Sequence, residues 1–305
     1  MSQCRIRVGS ALVLSEHAGH TDVVPEILEV ELYRRSAATV IGRRVVSIRD
    51  EDPIVVSPAG GLGCLIGAIV QDVHRHGKVL TITFDAETVA DRLHRVRAIE
   101  LHFGMTGRLI VDGRAALDSL VYGASDDERW QRFALGFDDG SLVLSDPRRF
   151  GRVRIAGEMS ARGLGPDAFD VSRADFVERL ATGSRRSIKA VLLDQGVVAG
   201  LGNMLVDDIL LREAIDPRSP VEDLTQDELG DLHRTMMEVL PELLARGGSH
   251  AGLLSHSLRR PGAPCPVDGT PLVKMTVAGR TSFVCPSHQV FQGSTSRVGE
   301  RVARR

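Results

Sequence analysis

The chain has 305 residues, of which 43% are hydrophobic and 26% charged, values typical of soluble globular proteins and sufficient for two modest domains. No apolar run approaches the roughly 18 residues that a membrane helix needs, and no export signal is present, so the sequence predicts a cytoplasmic protein. The formal charge of −2 argues against an indiscriminate polyanion binder, and four scattered cysteines argue against a disulfide framework.

The first predicted element is a helix that follows an irregular N-terminal stretch. Residues 1–23 show no sustained periodicity and are interpreted as an extension. A helix is predicted over residues 24–35, because Pro25 suits a first helical position and Glu26 and Glu29 favour the positive end of the helix dipole.

Short strands dominate the following residues. They are rich in β-branched or apolar residues and are separated by Gly or Asp, with a hairpin signal at residues 138–140. This spacing predicts a β-sandwich with a flanking helix. The predicted strands are Val45–Ile48, Ala68–Val73, Val79–Phe84, Ile99–Phe103, Arg108–Val111, Phe133–Phe137 and Ser141–Leu144.

The second half changes to helical periodicity. The segment Leu164–Asp167 is predicted to be a linker, and a small turn-rich unit and a basic tail follow the helices. The fold class is therefore α+β. The predicted helices are Asp175–Leu180, Ile188–Leu193, Met204–Arg212 and Gln226–Leu244. The predicted units are an extension (1–23), the sandwich (24–163), a helical domain (164–258), a hairpin (259–292) and the tail (293–305).

The most specific local motif is Asp-Pro-Arg-Arg-Phe-Gly at residues 146–151. Pro and Gly shape a tight loop that carries two cations and an aromatic ring. Such a loop suits a wedge that enters a DNA base stack while a guanidinium fills the place of an extruded base. The alternative is a surface turn with a buried Phe.

A second motif, Ala-Gly-Leu-Gly-Asn-Met at residues 199–204, lies between two helical segments. Two glycines followed by Asn predict a tight turn into an Asn-capped helix, whose free N–H groups would face an anion such as a DNA phosphate. An ordinary helix–turn–helix corner is the alternative.

These motifs, in this order, resemble the formamidopyrimidine-DNA glycosylase and endonuclease VIII family over residues 25–289. The opening Pro-Glu-Ile-Leu-Glu-Val-Glu is similar to the family's P-E-L-P-E-V-E, with Leu28 in place of the second Pro. Further resemblances lie at His76–Lys78, Leu101–Arg108, Leu193–Gln195 and Gly279–Thr281, and Asp146–Gly151 matches unchanged.

The resemblance implies both activity and site. Pro25 would be the nucleophile that forms an iminium with the sugar, Glu26 the acid that opens the sugar ring, and Lys78 a support that contacts sugar or phosphate. The helical domain would be a helix-two-turn-helix DNA-binding domain. The implied DNA-binding residues are His102, Met105, Arg148, Phe150, Lys189, Asn203 and Arg280.

The position of Pro25 departs from the family pattern, because 24 residues precede it. The nitrogen of an internal proline is an amide whose lone pair is delocalised, so it cannot act as a nucleophile. A Val codon can serve as a bacterial start codon, and initiation at Val24 would leave Pro25 free once the initiator Met is removed. Proteolytic maturation, or a true extension on a protein that binds DNA without cutting it, are the alternatives.

The C-terminal unit carries Cys265 and Asp268, then Cys285 and His288, at the spacing of the family's four-cysteine finger. Sulfur, imidazole and carboxylate are all zinc ligands, so the resemblance implies one structural Zn2+. A metal-free hairpin is the alternative, and a disulfide is disfavoured in the cytoplasm.

The expected function is a bifunctional DNA glycosylase and abasic-site lyase that flips oxidised bases out of double-stranded DNA. Oxidised purines are expected ahead of pyrimidines, although the segment between Gly248 and Cys265 is short for guanine-specific relatives. The partner would be DNA with a damaged base or abasic site. The protein is expected to be a monomer at the bacterial nucleoid. A catalytically silent damage-binding paralogue and an unrelated two-domain hydrolase are the alternatives.

Overall fold

The structure is a computed structural model that describes residues 25–85, 96–117, 127–156, 163–183 and 185–293. The predicted extension and the tail beyond Gly293 lie outside these residues. The order of elements confirms the α+β class, with a sandwich first, helices next and a hairpin last. Within the described ranges, none of the helices combines the length and hydropathy needed to cross a membrane.

Two five-stranded sheets form the predicted β-sandwich. One has the order β1-β8-β9-β6-β7 and the other β2-β10-β5-β4-β3, and every pairing is antiparallel except that of β2 with β10. The strands are β1 (Val45–Arg49), β2 (Val56–Ser57), β3 (Val70–His76), β4 (Val79–Phe84), β5 (Ala98–His102), β6 (Arg108–Val111), β7 (Arg114–Ala115), β8 (Gln131–Phe137), β9 (Gly140–Ser145) and β10 (Arg152–Ile155).

Three of these strands were not predicted from the sequence, namely β2, β7 and β10. Two of them have only two residues, too few to show a period of two. The third, β10, alternates Arg and apolar residues directly after the Asp146–Gly151 loop, and it becomes a strand because it pairs with β5 and β2. Tertiary pairing therefore determines these strands.

Five α-helices and a C-terminal hairpin complete the fold of the described residues. The helices are α1 (Ile27–Ala37), α2 (Arg173–Ala181), α3 (Ile188–Leu192), α4 (Asn203–Arg212) and α5 (Gln226–Ala245), and the hairpin strands are β11 (Val273–Val277) and β12 (Arg280–Val284). Ser172, Ser187 and Thr225 cap α2, α3 and α5 through their hydroxyl groups.

Helix α1 belongs to two hydrophobic cores at once. Val30 and Tyr33 pack into the sandwich core, whereas Ile27 and Leu28 pack with the helical domain. A third, smaller core holds the hairpin. The N-terminal end of α1 therefore lies where the two domains meet, which is where the predicted catalytic residues are found.

Candidate functional site

The carboxylate of Glu26 lies buried at the junction of α1 and α4. Its oxygens accept hydrogen bonds from the backbone N–H groups of Met204 (2.8 Å) and Leu205 (3.2 Å) in the first turn of α4. Gly202 makes room for this contact, because a Cβ there would lie 2.1 Å from the Glu26 carboxyl carbon. Burial raises the pKa of Glu26 to about 7, so this carboxyl group can both give and take a proton near neutral pH.

This contact corrects the prediction that Asn203 caps α4 and that its free N–H groups await a phosphate. Helix α4 begins at Asn203, with Gly202 as the extended residue before it, and Glu26 supplies the anion at the positive end of the helix. Asn203 instead donates from Nδ2 to the carbonyl oxygen of Thr281 at 2.9 Å. The turn therefore holds a protein carboxylate and connects to the hairpin.

A second buried carboxylate, Glu29, was predicted from the sequence only as a favourable charge at the start of α1. It accepts hydrogen bonds from the N–H of Glu26 (2.9 Å) and from both the N–H and the hydroxyl of Ser249 (2.7 Å each). Its negative charge also raises the pKa of Glu26. The spacing of one helical turn between the two glutamates was the available sequence signal, whereas nothing local points to Ser249.

Lys78 lies in the two-residue turn between β3 and β4, after Gly77 at φ +54°. Burial lowers the pKa of Lys78, the carboxylates of Glu26 and Glu29 oppose that shift, and the positive charge of Arg280 adds to it. The ammonium group is thus close enough to both carboxylates and to the hairpin to interact with each of them. The structure brings Lys78 and Glu26 together, beside Pro25.

His102 ends β5 and is held in one tautomer. Its Nδ1 accepts a hydrogen bond from the N–H of Gly104 at 3.1 Å, which leaves the ring proton on Nε2. Burial lowers the pKa of His102 to about 4, and the positive charges of Lys78 and Arg152 act in the same direction. At neutral pH the ring is therefore an uncharged hydrogen-bond donor.

The predicted wedge residues lie on two loops in direct contact. Gly104, at φ +58°, sits so close to the other loop that a Cβ would lie 2.5 Å from the carbonyl carbon of Phe150. This places half-buried Met105 beside Phe150, which is 41% exposed and stacks under the Arg148 guanidinium at 4.7 Å. The exposure of Phe150 excludes the alternative of a core Phe.

Buried Asp146 fixes the shape of this loop. Its carboxylate accepts hydrogen bonds from the Thr106 hydroxyl (2.5 Å) and the Gly151 N–H (2.6 Å). Arg149 adopts φ +57°, unusual for a residue other than glycine, and its Nε lies 3.0 Å from the carboxylate of Asp52. These contacts within the protein therefore define the conformation of the loop.

The hairpin carries Arg280 on an exposed turn, and Lys189 fastens the hairpin to the helical domain. The Lys189 ammonium is fully buried and donates to Asp207 (2.6 Å), the Ser282 hydroxyl (2.6 Å) and the Thr281 carbonyl (3.3 Å). The ammonium group pairs with Asp207, which also binds Arg259 at 2.6 Å, and its burial keeps it away from solvent. Lys189 therefore supports the Arg280 turn from behind.

Three of the four predicted metal ligands converge in the hairpin unit. The donor atoms of Cys265, Asp268 and Cys285 all lie within 4.8 Å of one another. The hydrogen bond from His288 Nε2 goes instead to the carbonyl oxygen of Leu211 at 2.9 Å. The two sulfurs, the carboxylate and this imidazole are a suitable donor set for zinc, although the structure gathers three of them.

Two family models match the chain. They are the formamidopyrimidine-DNA glycosylase N-terminal domain, over residues 24–153, and the formamidopyrimidine-DNA glycosylase H2TH domain, over residues 163–254. A formamidopyrimidine-DNA glycosylase of Geobacillus kaustophilus is 33% identical over 87% of this chain and all of its own length. That of Alkalilimnicola ehrlichii is 32% identical with the same coverage.

Solved structures give the same result. MutM bound to DNA that contains carbocyclic 8-oxo-G superposes with a TM-score of 0.71 at 28% identity, covering 87% of this chain and 100% of that one. The Lactococcus lactis Fpg in complex with abasic-site DNA has a TM-score of 0.71 at 26% identity, covering 87% of this chain and 99% of that one.

Proposed function

The chain belongs to the formamidopyrimidine-DNA glycosylase family, and on that premise we propose that it removes damaged bases from double-stranded DNA and nicks the resulting abasic site. The observation that carries this proposal is the carboxyl group of Glu26, next to Pro25, buried at the domain junction with a pKa of about 7. It supplies a proton donor beside the nitrogen that would attack the sugar.

The reaction requires Pro25 as a free secondary amine. Its nitrogen would bond to C1′ of the sugar and lose its proton as the glycosidic bond breaks and the base departs. Glu26 would give a proton to O4′ as the C1′–O4′ bond opens, leaving an iminium. Loss of a C2′ proton would then expel the 3′ phosphate and nick the strand.

We place the N-terminus of the active form at Pro25. Translation from Val24 with removal of the initiator Met, or proteolysis, would release the amine. The start of the N-terminal family model at residue 24 supports this placement.

The remaining predicted residues suit DNA that is bent and opened. Exposed Phe150, stacked Arg148 and adjacent Met105 would enter the base stack and fill the place of the flipped nucleotide. The neutral His102 ring would donate to a phosphate from Nε2. Lys78, Asn203 and Arg280 would bind further phosphates around the lesion, with Lys189 holding the Arg280 turn.

Oxidised purines are the proposed lesions. The segment after α5 is short, and it is tied down where Ser249 binds Glu29 and where the Leu254 N–H binds Asp208 at 3.2 Å. With this segment tied down, selection of the lesion would rest on contacts other than a long loop that closes over the flipped base. The relative crystallised with 8-oxo-G DNA supports the same lesion class.

A nicking assay tests the function. Protein beginning at Pro25 should nick an abasic-site duplex fastest, an 8-oxoguanine duplex next and a thymine-glycol duplex most slowly, because an abasic site needs no base pocket. An undamaged duplex serves as the control and should stay intact. Binding of all the damaged duplexes without nicking would refute the proposed enzymatic activity. It would support the alternative, a paralogue that binds damaged DNA without cutting it.

We propose that Cys265, Asp268 and Cys285 hold one structural zinc ion and that His288 supplies the fourth ligand through Nδ1, the ring nitrogen that is not bonded to Leu211. Backbone N–H groups already point at both sulfurs, from Val267 at 3.5 Å and from His288 at 3.2 Å. The ion would stiffen the unit that carries Arg280.

Metal analysis should find about one zinc per chain. Asp268→Ala should weaken zinc binding by at least about 10-fold and lower the melting temperature, because it removes a ligand and loosens the hairpin. Exposed Asp138→Ala in the sandwich is the matched control and should keep its zinc. Unsubstituted protein purified without chelators and free of zinc would favour the metal-free hairpin.

We further propose that the protein acts as a monomer. Because its partner is DNA, we place it at the bacterial nucleoid. The domain limits predicted from the sequence remain our proposed boundaries.

A further inference from the structure

We infer that Asp167, in the segment that joins the two domains, positions Lys78 for the reaction. This inference rests on the proposed lyase function and assigns a role to a residue distant in sequence from every predicted catalytic group. Asp167 is a positioning residue, since its buried carboxylate contacts the turn that carries Lys78.

The carboxylate of Asp167 is 6% exposed and is surrounded by donors. Its Oδ2 accepts the N–H of Gly77 at 2.7 Å, the residue directly before Lys78. Both terminal nitrogens of Arg75 bind the same carboxylate, Nη2 to Oδ1 at 3.1 Å and Nη1 to Oδ2. The N–H of Phe169 also donates to Oδ1, at 3.0 Å. A buried carboxylate with this many donors has little freedom to move.

Arg75 reinforces the same turn from the strand side. Its Nη1 also donates to the carbonyl oxygen of Gly77 at 3.2 Å, and its guanidinium stacks on Phe169 at 5.2 Å. Next to it, His76 Nε2 donates to the carbonyl oxygen of Gly165 at 2.9 Å. Asp167 therefore binds the N–H of Gly77, and Arg75, itself bound to Asp167, binds its carbonyl group. These two bonds fix the backbone directly before Lys78.

The joining segment also fixes this turn relative to Glu26. The N–H of Ala199 donates to the carbonyl oxygen of Pro166 at 2.8 Å, and Gly77 packs so tightly here that a Cβ would lie 2.9 Å from the Ala199 Cβ. The adjacent Gly200 accepts the N–H of Ile27, the residue after Glu26, at 3.1 Å. The joining segment thus aligns the turn that carries Lys78, in the sandwich, with the Ala199–Gly200 loop of the helical domain. That loop lies next to Glu26.

This arrangement explains why the segment carries a buried acid. Lys78 lies on a two-residue turn, where a small backbone rotation would swing its long side chain away from Glu26 and the sugar. A misplacement of about 1 Å at a reacting group can cost roughly 100-fold in rate. Asp167 supplies the fixed acceptor that opposes such a rotation.

The test is a double-mutant cycle on borohydride trapping with abasic-site DNA, using protein that begins at Pro25. Asp167→Asn keeps the size of the side chain but removes the charge that Arg75 and Gly77 bind. We expect the maximal trapping rate to fall by roughly 10- to 100-fold while the enzyme concentration for half-maximal rate changes less than about 3-fold. In a Lys78→Ala background the same substitution should change the rate by less than about 2-fold.

Exposed Asp170→Asn, three residues along the same segment, is the matched control and should trap at the unsubstituted rate. If Asp167→Asn does not fold, Arg75→Met is the second variant to test. Its trapping rate should also fall, and the fall should again disappear in the Lys78→Ala background. An equal fall with and without Lys78, or no fall at all, overturns the positioning role. Absence of trapping by the unsubstituted protein overturns the proposed function instead.

Discussion

Protein that begins at Pro25 should form a borohydride-trapped adduct with abasic-site DNA, whereas protein that retains residues 1–24 should form none. The difference follows from electronic structure: the nitrogen is an amide in the longer form and a secondary amine in the shorter one. An amine with a pKa of about 7.7 to 8.0 is partly unprotonated at pH 7, and borohydride reduces the iminium that it forms. Gel electrophoresis of labelled DNA measures the adduct.

The matched control places one glycine before Pro25. It keeps every residue of the site but returns the Pro25 nitrogen to an amide, so trapping at Pro25 should again be lost. Equal adduct from all three forms would rule out Pro25 as the nucleophile and direct attention to the amine of Lys78, which lies in the same site.

Glu26→Gln should lower the rate of the nicking reaction by about 100- to 10,000-fold while DNA affinity stays within about 2-fold. The amide oxygen can still accept the N–H of Met204, whereas the amide NH2 replaces the oxygen that accepts the N–H of Leu205, so the contact with α4 keeps one of its two hydrogen bonds. What is lost is the proton for O4′. Exposed Glu51→Gln is the control and should retain full activity. Retained activity in Glu26→Gln would assign the acid to another group, with Glu29 the nearest candidate.

The same substitution should make the 305-residue chain more stable at alkaline pH. Burial raises the pKa of Glu26 from 4.5 to about 7, so the folded state holds its proton to a higher pH than the unfolded chain does. Stability therefore falls as the pH rises from 4.5 to 7, by about 3 kcal/mol in full. Gln does not ionise, so it avoids this loss of stability with rising pH, and the hydrogen bond from Leu205 that it lacks costs the same at every pH.

Urea unfolding at pH 5 and pH 8 measures this difference. The stability advantage of Glu26→Gln should be small at pH 5 and largest at pH 8. An advantage that does not change with pH would contradict the raised pKa. In protein that begins at Pro25 the positive N-terminus would favour the ionised carboxylate, so the advantage should be smaller there.

The sequence was most informative where function lies in a short stretch. The Asp146–Gly151 motif predicted a tight loop with an exposed ring and a guanidinium, and the loop has both, because Pro, Gly and Asp act through bonds to their immediate neighbours. The alternation of apolar residues likewise predicted seven strands of the sandwich, because one face of each strand packs into the core.

The sequence was least informative where partners are distant. Ser249 meets Glu29 across 220 positions, and Asp167 meets Gly77 across 90. The capping of α4 was assigned to Asn203 by a local rule, but a carboxylate 178 residues away provides it. Local propensity cannot reveal such contacts, because they exist only once the two domains are docked.

The burial of Glu26 between α1 and α4 also links the acidity of this carboxyl group to the docking of the two domains. If the domains part, the carboxyl group loses the burial that raises its pKa, which should return toward the ordinary value of 4.5. At neutral pH it would then be ionised and would have no proton to give. The acidity that the proposed reaction requires of Glu26 therefore depends on the docking of the two domains.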